Sequence, residues 1–410
     1  MELLTFQKPN KYHFLFLGYF FTIIFRYSLN NAIKIQGRYK PTILFVLILL
    51  ILSNFLSFIP YAISRYLSKK KERLVQNKVV EDIVNNKRPK KYKWQNLIKP
   101  IFILSVFGFF SDAPMVLFNL LSDKVYNDLY KLGIYSILNA VLIYIFAYFI
   151  LKIYFYRHHY LSFGINTICF LISLTIDIVK LITLRIDNIN YYLYVIIRII
   201  RLILICLLYC YSKKEFESSL LTPYSIIAFR AIFESIFMGI FCIPFAFIKI
   251  KDFKSEEKEI IFKVYGEYFT GIRLLYTILM FINDYLGDIF MFQIIDKFSV
   301  SHAALAYTLD SFAGKLYQII ADNVAGKTVS WEVYVNFCVY FLVFIGAMIH
   351  NEIFIINKCG LNEKTQLYLD DAFRKESKDN EEILKHLDDD SSIDTDKSSV
   401  EMNYVKETIN

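Results

Sequence analysis

The chain is 410 residues long, 56% hydrophobic, 18% aromatic and only 20% charged, with a formal net charge of +8. Those proportions exclude a soluble globular domain and describe a multi-pass membrane protein. The six cysteines exclude a disulfide framework or a zinc ribbon: Cys169, Cys206, Cys210, Cys242 and Cys338 sit inside apolar runs and Cys359 just past the last one, where they serve as small hydrophobes.

From the N-terminus, Lys8 and Lys11 precede a short apolar run, His13 to Phe25, that ends at Arg26. A signal peptide or a first helix fits; with no A-x-A cleavage pattern and many spans to follow, a retained helix is the expectation. Thr42 to Leu67 is the second span, opened by Pro41 and expected to kink at Pro60. Lys69 to Lys93 lies in the most basic loop (68–97), which belongs in the cytosol by the positive-inside rule. Ile98 to Leu121 is the third span, interrupted by Ser111, Asp112 and Pro114. Leu132 to Leu151, Leu161 to Thr183 and Tyr191 to Tyr211 are the fourth to sixth. Pro223 to Ile248, Tyr268 to Phe292, Ser299 to Asp322 and Val333 to Ile356 complete ten. An odd-even walk from the basic loop puts both termini in the cytosol, with Lys249 to Lys263 as an opposing positive cluster. Residues 358–410 are acidic and poor in hydrophobes, the composition of a disordered tail, and Ser391, Ser392 and Thr395 lie among its acids.

Charges inside the spans carry the functional signal. The acids are Asp112, Asp177, Glu234, Asp284, Asp288 and Asp310; the bases are Lys180, Arg198, Arg201, Arg230, Arg273 and Lys315. Each costs roughly 2.5–3.5 kcal/mol at a bilayer centre, so balanced numbers point to mutual pairing around an interior. Asp177 with Lys180 and Arg230 with Glu234 share a helix face, whereas Arg198, Arg201 and Arg273 also suit a headgroup layer. Asp284 and Asp288, four apart on one face, fit a coupling-ion or proton site, or hydrogen bonds to neighbouring helices.

The ninth span divides into stripes. Ser301, Thr308, Ser311, Lys315, Gln318 and Asp322 form a polar one; Ala303, Ala306, Asp310, Ala313, Gly314 and Ala321 a small-residue one; Leu305, Leu309, Phe312, Leu316 and Ile320 an apolar one. Asp310 is expected to meet a base on a neighbouring helix, Arg230 first among them. Lys315, on the stripe that would receive substrate, points elsewhere. His158 and His159 beside Arg157 are the only hint of catalysis, and no HExxH, GxSxG or GxxxxGKS pattern occurs.

The second half of the chain resembles the nucleotide-sugar-transporter-like solute carriers of the drug/metabolite transporter superfamily. The matching residues run from Leu220 to Gly239 (LLTPYSIIAFRAIFESIFMG), from Phe298 to Gly314 (FSVSHAALAYTLDSFAG) and from Phe341 to Glu352 (FLVFIGAMIHNE). Pro223, the Leu309-Asp310-Ser311 step, and Gly346 with Ala347 stand where those relatives carry similar residues. Arg230, Ala231 and Glu234 replace the usual acid-glycine pattern of the seventh helix, and Lys315 comes later than the base that commonly follows Asp-Ser.

The resemblance implies an all-α polytopic membrane protein of ten transmembrane helices in a five-plus-five inverted repeat. Its halves are 1–212 and 213–357, followed by the tail. It also implies alternating-access transport of a polar, anionic metabolite such as a nucleotide sugar, with Golgi or ER residence ahead of the plasma membrane. No enzymatic activity, cofactor or metal is expected from the residues themselves. Arg230 and Lys315 would meet phosphates; Tyr307, Thr308 and Ser311 would stack on or hydrogen-bond substrate; Asp310, Glu234, Asp284 and Asp288 would form gating or ion pairs. Expected partners are a small-molecule metabolite and the lipid bilayer, not nucleic acid, with a homodimer left open. The alternatives are a non-transporting receptor or channel, and a membrane-embedded lipid-modifying enzyme.

Overall fold

The computed structural model describes residues 4–6, 11–35, 43–76, 94–121, 134–153, 155–183, 189–218, 221–244, 249–251, 258–260, 269, 271–326, 328–329, 331–358, 361 and 365. The eleven α-helices among them all lie in one compact unit, residues 8–354. A second unit, residues 1–7 and 355–410, contains the described strand β1, Leu4–Phe6. Most of the acidic tail, and residues 77–93 of the basic loop, lie outside the described residues.

The helices are α1 Phe14–Ile35, α2 Ile43–Ser53, α3 Phe58–Gln76, α4 Trp94–Leu121, α5 Ile134–Leu151 and α6 Arg157–Thr183. They continue with α7 Ile189–Ser218, α8 Pro223–Cys242, α9 Gly271–Lys297, α10 Val300–Val324 and α11 Trp331–His350. Strands β2, Lys249–Lys251, and β3, Lys258–Ile260, pair antiparallel within the charged loop after α8.

The departures from the expected spans have local causes. The second span breaks ahead of Pro60, at a 3-10 turn over Asn54–Ser57, because proline clashes with the carbonyl one turn before it. The third span, expected to be interrupted at Ser111, Asp112 and Pro114, is not: α4 runs continuously through Pro100 and Pro114. Helix α8 starts where the sequence places it, with Thr222 and Ser225 exchanging capping-box bonds and Pro223 in the first turn. It stops at Cys242 rather than Ile248, since Pro244 follows. The tenth expected span ends early, at His350, where Asn351 Nδ2 donates to the Ala347 carbonyl (2.8 Å). The expected boundary at 212/213 falls inside α7, which continues as Lys213 binds Glu217 (3.5 Å) and the carbonyls of Asp296 and Phe298.

The main core joins Tyr19 and Ile23 of α1, Tyr144 of α5, Cys206 of α7, Ile226 of α8, Ile294 of α9 and Ala303 and Ala306 of α10. Facing outward are Phe21, Ile63, Phe149, Ile182, Ile240 and Ile272, each more than half exposed. In water such a coat would drive aggregation; in a bilayer it matches the solvent. Seven described stretches are long and apolar enough to cross a membrane: Leu44–Leu67, Ile98–Phe118, Arg157–Val179, Tyr192–Ser218, Pro223–Cys242, Gly271–Lys297 and Trp331–His350. Shorter apolar segments lie at Phe14–Asn30 and Ile137–Leu151. The chain is an integral, multi-pass membrane protein of α-helices.

The extensive helix contacts are α1 with α9 and α10, α4 with α7 and α8, α5 with α6, α7 and α10, and α11 with α6 and α10. The broken pair α2/α3 packs on α8, α9 and α4, and α9 also touches α7, α8 and α10.

Candidate functional site

Three arginines from three helices meet five carboxylates in the bundle interior. The first group sits on α8, where the four-residue spacing of Arg230 and Glu234 lets them pair on one face. Arg230 Nε and Nη2 each lie 2.8 Å from Glu234 Oε1, and the two residues are only 5% and 2% exposed. Gly108 of α4 makes this possible, because a Cβ there would collide with Glu234 Oε1 and stand 2.7 Å from Arg230 Nη2. The guanidinium also lies 5.3 Å from the Phe292 ring centre, in cation–π range. Arg230 Nη1 is buried and has no hydrogen-bond partner among the described residues.

The second group joins α7 to α4. Arg201 Nε lies 2.7 Å from Asp112 Oδ1, with both side chains about a third exposed. Tyr307 of α10 is within electrostatic reach of both and shares a 2.8 Å hydroxyl contact with Tyr209 of α7.

The third joins α1 to α9 and α10. Arg26 faces Asp310 and Asp284 at electrostatic range, and the Tyr27 hydroxyl donates to Asp310 Oδ1 at 3.4 Å. Glycines again permit the approach: a Cβ on Gly287 would sit 3.3 Å from Arg26 Nη2, and one on Gly314 would collide with the Tyr27 hydroxyl. Asp288 is hydrogen-bonded by the Asn54 side chain from the 3-10 break and feels both Arg230 and Arg26. Arg26 Nε, Asp284 Oδ2 and Asn54 Oδ1 are buried without hydrogen-bond partners among the described residues. Each such atom costs about 1–3 kcal/mol, so this joint is polar, enclosed and only partly satisfied.

The base facing Asp310 is therefore Arg26 and not Arg230, which is held by Glu234. Arg26 looks like a membrane-edge residue in the sequence because the apolar run ends there, yet α1 continues to Ile35 and carries it mid-helix.

The remaining candidates on α10 spend much of their polarity on their own helix. Thr308 Oγ1 donates to the Leu305 carbonyl (2.8 Å), Ser311 Oγ to the Tyr307 carbonyl (3.2 Å), and Lys315 Nζ to Gln318 Oε1 (3.4 Å). The structure thus gathers Arg230, Glu234, Asp284, Asp288, Asp310 and Tyr307 with residues that sequence reasoning did not assign to the site, Arg26, Tyr27, Asn54 and Tyr209 and the Asp112–Arg201 pair. Their only sequence signal is polarity within an apolar run. Arg198 stands apart, its Nε donating to the Tyr194 hydroxyl (3.2 Å) and its guanidinium lying over Tyr135. The side chain of Lys180 lies outside the described residues, while Asp177 is buried.

Among the named groups, five carboxylates (Asp112, Glu234, Asp284, Asp288, Asp310) oppose three guanidiniums (Arg26, Arg201, Arg230). Such an interior can hold an anionic group on an arginine only while its own surplus of acid is neutralised by protons or a cation.

No family model matches the chain, and no curated protein matches it. One similar solved structure, described only as "Crystal structure of protein", has 12% identity, covers 83% of this chain and 97% of its own, and superposes with a TM-score of 0.48.

Proposed function

We propose that the protein is a secondary transporter of the drug/metabolite type that moves a polar, anionic metabolite across a membrane by alternating access. The observation that carries this reading is the layer of buried arginines and carboxylates at the junctions of several helices, with unpartnered donors on Arg26 and Arg230. Buried charge of this density inside a membrane bundle is the signature of a substrate or ion pathway. A metabolite bearing phosphates, such as a nucleotide sugar, offers the acceptors those donors lack.

The packing scheme supports ten spans in two repeats. Counting α2/α3 as one span, each of α1, α2/α3, α4, α5 and α6 is matched five spans later by α7, α8, α9, α10 and α11. Under that pairing the contact α4 with α7 answers α9 with α1, and α5 with α7 answers α10 with α1. Likewise α5 with α6 answers α10 with α11, and α4 with α8 answers α9 with α2. The contacts α6 with α11, α5 with α10 and α8 with α2/α3 map onto themselves. The contacts of α9 with α7 and α10 have no equally extensive counterpart. A two-fold arrangement of this kind lets one half rock against the other around a central site. The reading carries with it residence in the Golgi or ER membrane and cytosolic termini.

The test is exchange in liposomes. Purified full-length protein, reconstituted into vesicles preloaded with nucleoside monophosphates, is expected to take up at least one labelled nucleotide sugar or other phosphorylated metabolite. Absence of exchange across the panel, by protein with a cooperative melting curve, would overturn the reading.

A further inference from the structure

Away from the charged layer, three of the chain's six histidines converge where α6 begins and α11 ends. The His158 and His159 ring centres are 4.0 Å apart, and the His159 and His350 centres 4.5 Å. Glu352, two residues past α11, brings its Oε1 to 3.3 Å from His158 Nε2. It does so from a left-handed backbone conformation, φ 58°, which is unfavourable for glutamate. Ligand atoms of His158, His159 and Glu352 all lie within 4.8 Å of one another.

The state of the rings bears on what this cluster binds. His158 is 4% exposed, and neither of its nitrogens makes a hydrogen bond among the described residues. His159 donates to the His350 carbonyl and accepts the Tyr156 amide on Nδ1 (2.9 Å). With Nδ1 accepting, the donor is Nε2–H, so Nδ1 carries the lone pair. A metal-bound histidine adopts this arrangement, its second nitrogen donating to a backbone carbonyl. The Tyr156 amide it would release belongs to an exposed residue and can turn to water.

We propose that His158, His159 and Glu352 form a site for one divalent transition-metal ion. Two imidazoles and a carboxylate suit a borderline ion such as Zn2+, whereas Mg2+ and Ca2+ favour all-oxygen shells. Three protein ligands leave a fourth position for water. The ion would fasten the start of α6 to the end of α11, helices that already pack against each other. This assignment does not rest on the transport reading.

The test uses full-length protein in detergent, stripped with chelator and titrated with Co2+ to follow its visible d–d bands, then with Zn2+ to displace it. One ion per chain and a higher melting temperature with Zn2+ are expected. Glu352→Gly removes the carboxylate and suits the positive φ, so the stripped variant should melt no lower than wild type; His158→Ala removes a second ligand. Losing a group that merely orients a ligand weakens metal binding about 10–100-fold, and losing a ligand is expected to do at least as much. Absence of saturable Co2+ binding would overturn the proposal. So would equal binding by wild type and both variants, which would place the ion elsewhere, or equal competition by Mg2+ or Ca2+.

Discussion

Under the proposed pairing of α1 with α7, two arginine–aspartate joints correspond, and they are built differently. Arg201 stands twelve residues after Ile189, the first residue of α7, and Arg26 twelve after Phe14, the first of α1. Arg201 closes on Asp112 of α4 with a 2.7 Å ion pair. Arg26 faces Asp284 of α9 and Asp310 of α10, but its Nε and Asp284 Oδ2 make no hydrogen bond among the described residues. A carboxylate held by one good contact is a fastener, while a guanidinium shared between two acids, with donors to spare, is a place where a ligand or a moving helix can enter the balance. The Arg201–Asp112 pair therefore fits a structural joint, and the joint at Arg26 is the one the proposed transport would use.

The Arg230–Glu234 pair is almost fully buried and lies within electrostatic range of Asp112 and Asp288, so the largest effect should come from breaking it. Arg230→Ala leaves Glu234 buried without its base and is expected to cost about 3–5 kcal/mol of stability, read as a large drop in melting temperature in detergent. Replacing both residues with methionine should recover most of the melting temperature yet leave the proposed transport abolished. Recovery of transport in the double variant would show that Arg230 only holds the fold.

Gly108→Ala comes next. Its Cβ would press on Glu234 Oε1, and the helix backbones must part, so about 1–3 kcal/mol of destabilisation is expected. A variant that melts like wild type would mean that α4 and α8 are not in close contact at this level.

The joints themselves are compared by Arg201→Gln and Arg26→Gln. The first should lower stability by about 1 kcal/mol, the discount reflecting a third of exposure, with transport reduced only modestly. The second should cut the proposed transport at least tenfold and, since Asp284 and Asp310 lose their base in an enclosed interior, lower the melting temperature at least as much as the first. The reverse pattern would exchange the roles assigned to the two joints. Smallest of all, Tyr27→Phe removes a long 3.4 Å bond to Asp310, and the expected loss is about 0.5 kcal/mol, the low end for a hydrogen bond.

Much of the architecture was legible in the sequence, because apolar runs longer than eighteen residues admit few structures in lipid. The start of α8 was legible too, from Pro223, and so was the Arg230–Glu234 pair, from its four-residue spacing. The break at Asn54–Ser57 was misplaced by one turn because proline acts on the carbonyl before it rather than at its own position. Partners far apart in the chain were out of reach: nothing near Asp112 announces Arg201, and nothing near His158 announces Glu352. Arg26 was visible only as the end of an apolar run, and its place in mid-helix emerges because α1 continues to Ile35.

The Arg230–Glu234 pair has a consequence for how the protein is made. Both charges lie on α8 one turn apart, so they neutralise each other as soon as that helix forms. α8 can leave the translocon as a nearly neutral segment. Asp112 has to wait for α7, and Arg26 waits longest, since its acids arrive only with α9 and α10. During synthesis the first helix in the chain is the last to be electrically complete. A chain truncated after α8 should therefore hold α1 less firmly in the membrane than one that extends through α10.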